Sequence, residues 1–118
     1  MNIDDAKNLI SQFHEKEFAG GVSLEIVKSA EKELGLQFPA DYVEYLTLLG
    51  CGYASSEDFI GLGGESHLDM IRSYVRLREP SKHAQLPINF IPLKHDGYGN
   101  YECIDLGKSS EEKSAVVL

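Results

Sequence analysis

Apolar positions follow a helical period through the first part of the chain and contract to short strand-like runs in the last third. Ile3, Ala6, Leu9, Ile10 and Phe13 fall on one helical face, so residues 3 to about 17 are expected to form an amphipathic helix. The two glycines of "FAGG" end it. Ser23 is a good N-cap for a second helix, with Glu25 in the first turn and a stripe of Ile26, Val27, Ala30 and Leu34. Gly35 stands where a left-handed C-terminal residue belongs. "LQFP" is extended, because a residue before proline avoids helical angles. Pro39 then suits a first turn, and Tyr42, Tyr45, Leu46 and Leu49 give the spacing of a third helix, closed by Gly50 and Gly52.

The period changes at "DFIGLGG", a short apolar run bounded by glycine that predicts a strand entering a turn. Ser66, with Asp69 three residues on, caps an expected fourth helix with the stripe Leu68, Ile71 and Val75, widened by Met70, Tyr74 and Leu77; Pro80 stops it. "INFIPL" and "YECIDL" predict two more strands, the first with a bulge or an edge position at Pro92. "AVVL" is a terminal β-branched run. Short connections between strands imply antiparallel pairing, so the expected class is α+β, an antiparallel sheet packed against about four helices. The length of 118 residues suits one domain, 1–118.

Charge narrows the choice of partners. Nineteen acidic against eleven basic residues give a formal net charge of -8. That disfavours nucleic acid and anionic membrane surfaces, which require neutralisation of phosphate; it favours a basic protein partner or simply keeps a small protein soluble, and charge alone does not choose between these two. The N-terminus "MNIDDAKNLI" carries acids where a signal peptide has a basic region, and no run approaches the ~20 apolar residues of a membrane span. The expected location is the cytoplasm. Cys51 and Cys103 show no CxxC pattern and are expected to act as small buried hydrophobes.

The stretch "HDGYGNYECID", His95 to Asp105, concentrates candidate chemistry. Asp96-Gly97 and Gly99-Asn100 are hairpin-turn dipeptides, which explains much of it without catalysis. His95 and Asp96 form an acid–base pair only if the turn redirects one of them, since strand neighbours face opposite sides. The four histidines lack zinc-ligand spacing, "GLGGES" lacks the lysine of a phosphate loop, and there is no G-x-S-x-G elbow. No catalytic residues, metal or cofactor are assigned.

The stretch "SLEIVKSAEKELGLQFPADYVEYLTLLGCG" resembles the signature of the SUKH superfamily through Glu31, Leu34, Gly35, Pro39, Tyr42, Leu46 and Gly50. "FIPLKHDGYGNYECIDL" resembles its next landmark through Phe90, Ile91, Pro92, Asp96, Gly97, Gly99, Asn100, Tyr101, Ile104 and Asp105. Phe38 replaces the usual leucine before the proline, and the chain ends at "AVVL" where family members commonly continue, so a shortened C-terminus is expected.

The resemblance implies binding rather than catalysis. Many bacterial members look like immunity proteins that block polymorphic or contact-dependent toxins, often nucleases. Fungal cell-wall-synthesis regulators of the same superfamily act as interaction modules. Under the immunity reading the candidate contacts are Glu57, Asp58 and Glu65 around the glycine-rich strand, and Asp96 and Tyr98 at the hairpin tip, acids beside a rigid aromatic. A scaffold module without a toxin, and a small hydrolase using His95 and Asp96, are the alternatives. An uncovered terminal strand also suggests a homodimer through residues 115–118.

Overall fold

A computed structural model describes residues 3, 8, 16–54, 57–64, 66–78, 87–95 and 101–117. Six strands form one antiparallel sheet in chain order: β1 (Lys16–Phe18), β2 (Gly52–Ala54), β3 (Glu57–Phe59), β4 (Phe90–His95), β5 (Tyr101–Asp105) and β6 (Val116–Val117). Helices α1 (Leu24–Leu34) and α2 (Ala40–Leu48) lie between β1 and β2, and α3 (Met70–Arg76) lies between β3 and β4. The α+β class and the antiparallel sheet are as expected. Three α-helices, not four, lie among the described residues. The expected N-terminal helix falls mostly outside them, although Ile3 and Asn8 are helical. Its C-terminal end is corrected: Lys16–Phe18 is a strand, paired with β2. The partner strand is distant in sequence, so local periodicity carries no sign of it.

Capping fixes α1 as the sequence implies. Ser23 Oγ accepts from Ile26 N at 3.3 Å, and Gly35 ends the helix at φ 69°. Val27 and Ala30 are buried and Leu34 is half-buried, but Ile26 is 50% exposed. The stripe therefore runs at i, i+3, i+7, and Ile26 stands one helical step off it. The start of α3 also differs. Ser66–Leu68 forms a 3₁₀ turn, a bridge pairs Gly61 with Asp69, and Asp69 becomes the cap, accepting from Ile71 N at 3.3 Å. This buries Met70, Ser73 and Tyr74 and leaves Val75 outside the stripe expected for it.

The N-terminus of α2 is closed by the far end of the chain. Pro39, its N-cap, offers no side-chain acceptor. Instead Ala40 N and Asp41 N donate to the carbonyls of Glu111 and Glu112 at 2.7 and 3.0 Å. The buried Asp41 carboxylate accepts from Ser114 N at 2.9 Å and from Ser114 Oγ at 2.6 Å. Helix-start amides that would otherwise lack acceptors are thus satisfied by the loop before β6. The core joins Tyr42, Tyr45 and Leu46 of α2 to Phe59, Ile91, Leu93 and Ile104. Phe38, Tyr42 and Tyr45 form an aromatic ladder, with centroids 5.2 and 5.8 Å apart at successive steps.

Glycines let three backbone segments meet without intervening side chains. A Cβ on Gly21 would lie 1.6 Å from Thr47 O, and one on Gly61 would lie 1.7 Å from Gly50 O. Gly50 itself sits at φ 75°. Hydrogen bonds from Val22 N to Leu46 O (3.0 Å) and from Leu62 N to Gly50 O (3.0 Å) tie the segments together. Gly21, Gly50 and Gly61, one from each of "FAGG", "GCG" and "GLGG", therefore serve a three-way backbone junction.

Candidate binding surface

Most of the described residues that carry the family resemblance turn out to be scaffold, while Asp96, Gly97, Gly99 and Asn100 lie outside the described residues. Glu31 Oε2 accepts from Phe38 N at 2.7 Å and so sets the link from α1 to α2. Tyr42 and Leu46 are fully buried, and Gly50 belongs to the glycine junction. Pro92 marks a register shift in β4, the expected bulge, although β4 is an interior strand rather than an edge. Asp105 Oδ1 accepts from Gly107 N at 2.9 Å and holds the turn after β5. A functional surface must then be sought among residues this framework carries but does not consume.

Strand register supplies one. Tyr53 of β2 pairs with Asp58 of β3, Asp58 with His95 of β4, and His95 with Tyr101 of β5. Paired residues in an antiparallel sheet project to the same side, so these four make a row across one face. The rings of His95 and Tyr101 lie 4.5 Å apart, and Arg76 Nη2 donates to Tyr101 Oη at 3.0 Å. At the other end of the row lies a cleft of about 240 Å³, lined by Phe18, Cys51, Tyr53, Asp58, His67 and Leu68. Gly64 shapes its wall: a Cβ there would lie 2.3 Å from Cys51 Sγ.

The opposite face carries Phe18, Phe59, Lys94 and Glu102 in the adjoining row. Lys94 Nζ lies 2.8 Å from Glu57 Oε2 and 3.0 Å from Glu102 Oε2, an ion triad spanning three strands at the border of the core. Burial works to lower the Lys94 pKa, but the hydrogen bonds and charges of the two carboxylates outweigh it and raise it. Two acids around one cation leave a residual negative charge that is already spoken for structurally.

The expected contact residues therefore separate. Glu57 is engaged by Lys94, whereas Asp58 lines the cleft. Glu65, Asp96 and Tyr98 lie outside the described residues, and with Asp96 goes the geometry of the His95–Asp96 pair. Tyr53, at the cleft, carries no direct signal in the sequence. The short runs on either side of Ser55-Ser56 read as paired strands only once β2 is known.

The thiols are both buried, and neither forms a disulfide. Burial, with Glu102 adding, pushes the Cys103 thiol up to about 11. Among the described residues no group of three or more His, Cys, Asp or Glu is arranged to hold a metal ion, and no helix is long and apolar enough to cross a membrane.

A sequence model of the SUKH_6 family, described as SMI1-KNR4 cell-wall, matches residues 25–118. The match spans most of the chain, and the chain belongs to this SMI1-KNR4 branch of the SUKH superfamily. No curated protein matches it.

Proposed function

We propose that this chain is a non-enzymatic binding protein of the immunity type. It neutralises a cognate polymorphic or contact-dependent toxin, a nuclease being the activity its charge suits best, by covering the toxin's active site. The observation that carries the reading is the formal charge of -8 on a SUKH scaffold. A nuclease presents a basic surface to its substrate, and an acidic protein of fixed shape competes for that surface. The proposed contacts are Asp58, Glu65, Asp96 and Tyr98, with Tyr53 added from its place beside Asp58 in the cleft; Glu57, expected among them from sequence, is instead held by Lys94. The chain works in the cytoplasm, where a toxin would meet its target.

The test is co-expression with the toxin domain encoded beside the gene. Survival of the host and recovery of a stable complex are expected. Reversal of Asp58 and Glu65 to lysine with full protection retained would remove the electrostatic part of the reading.

The printed family description, SMI1-KNR4 cell-wall, favours one second reading: a regulatory or scaffold module with no toxin partner. A neighbouring gene for a large secreted protein with a variable C-terminal domain separates the two, since only the immunity reading requires it. A homodimer through the edge strand β6 is compatible with either, and light scattering at high concentration distinguishes dimer from monomer.

A further inference from the structure

The cleft beside Asp58 has a composition that selects its occupant. Its volume of about 240 Å³ lies below the ~300–1,000 Å³ of ordinary small-molecule sites. It has room for a single side chain. Tyr53 brings an aromatic ring, Leu68 an apolar side chain, His67 an imidazole and Asp58 a half-buried carboxylate, while Phe18, whose ring packs against Phe59 on the other face, borders the cleft. Among the described residues Asp58 has no hydrogen-bond or ion-pair partner for that carboxylate, while Glu57 next to it is held by Lys94. Among the described residues, then, a half-buried acid stands without a cation beside a neighbour that has one.

We propose that this cleft is an arginine-anchor site, taking the guanidinium of one arginine from a basic partner protein. The inference rests on the binding reading above and names the chemistry it recognises. A planar guanidinium pairs with a carboxylate in a fork and stacks on aromatic faces, whereas an ammonium is a compact, strongly hydrated point charge. Asp58 supplies the fork, and Tyr53, its cross-strand neighbour, supplies a face. The formal charge of -8 brings such a partner in, and the cleft fixes its register. Arginine is also among the residues most enriched at the centres of protein interfaces.

The experiment is an NMR titration of the full ¹⁵N-labelled chain with Nα-acetyl-arginine amide, in parallel with the lysine and citrulline analogues. The arginine compound is expected to give saturable shifts confined to the amides around Phe18, Tyr53, Asp58 and Gly64–Leu68. Its dissociation constant should be of roughly millimolar order. The lysine and citrulline analogues should bind at least about fivefold more weakly. Asp58→Asn, which keeps the shape of the side chain, should weaken arginine binding about tenfold. Glu25→Gln, on the exposed surface of α1, should leave it unchanged. Absence of saturation, shifts centred elsewhere, citrulline binding as well as arginine, or an indifferent Asp58→Asn would each overturn the proposal. Loss of the arginine site with toxin binding intact removes only the anchor. Arginine binding without any toxin complex removes only the partner assignment.

Discussion

Replacing Asp41 by alanine breaks the tie between α2 and the C-terminal loop, and the structure sets the size of the effect. The carboxylate accepts from Ser114 N, at 3.0 and 2.9 Å to its two oxygens, and from Ser114 Oγ at 2.6 Å. Both residues are buried, at 6% and 5% exposure, so water replaces those acceptors poorly. A stranded buried amide costs about 1–3 kcal/mol, and a hydrogen bond to a charged group contributes ~1.5–3 kcal/mol. The two are not additive, because the Ser114 hydroxyl can rotate toward another acceptor. The expected loss is about 2–4 kcal/mol out of a typical 5–15 kcal/mol. In urea unfolding, with a slope of about 1–3 kcal/mol per molar, the midpoint should fall by roughly 1–2 M at unchanged slope. Ser114→Ala keeps the amide bond and should lose only about 1 kcal/mol. Glu111→Ala changes an exposed side chain and keeps the carbonyl that caps α2, so it should stay within about 0.5 kcal/mol of wild type. An Asp41→Ala midpoint no lower than that of Glu111→Ala would refute the reasoning.

Other perturbations separate close packing from local strain. Gly35→Ala meets open space and should cost only the left-handed penalty, about 1 kcal/mol. Gly61→Ala meets Gly50 O at 1.7 Å and should cost at least about 3 kcal/mol or abolish folding, read as a much larger fall in melting temperature. Tyr42→Phe removes a buried hydroxyl that has no hydrogen-bond partner among the described residues, so stability in denaturant should hold or rise; Tyr45→Phe removes a bond to Ile60 O at 3.1 Å and should lose about 1 kcal/mol. The Cys103 thiol should react slowly with a disulfide reagent at neutral pH and fast in denaturant. Because its folded pKa is raised, its contribution to stability is complete below the ordinary value of 9.0 and is lost as pH rises toward about 11. An alkaline decline over that window that is unaltered in Cys103→Ala would contradict the assignment.

Helices α1 and α2 were legible in the sequence because their signals are local: Ser23 and Gly35 cap one, and Pro39 opens the other. The β4–β5 pair and the bulge at Pro92 were legible for the same reason, since a proline cannot donate to a regular ladder. Strands β1 and β2 were not. Three residues hold no readable alternation, and their partners are set by tertiary packing. The choice between Ser66 and Asp69 as a cap was equally invisible, because both are good caps and the bridge to Gly61 decides. Each glycine, taken with its own segment, signals only a turn. Their common purpose, backbone meeting backbone, appears only when three segments are brought together. Asp58 was selected among the acids, but its difference from Glu57 depends on alternation about a strand whose register only the sheet supplies.

We propose that this acidic SUKH-family scaffold holds a basic protein by its surface and performs no chemistry on it. The decisive measurement is titration calorimetry, at low and at high salt, of the purified chain against the toxin domain that the immunity proposal requires beside its gene. The account predicts a saturable one-to-one complex whose affinity falls as salt screens the opposed charges. A complex indifferent to salt, no heat of binding at any salt, or a slow heat signal from turnover would contradict it.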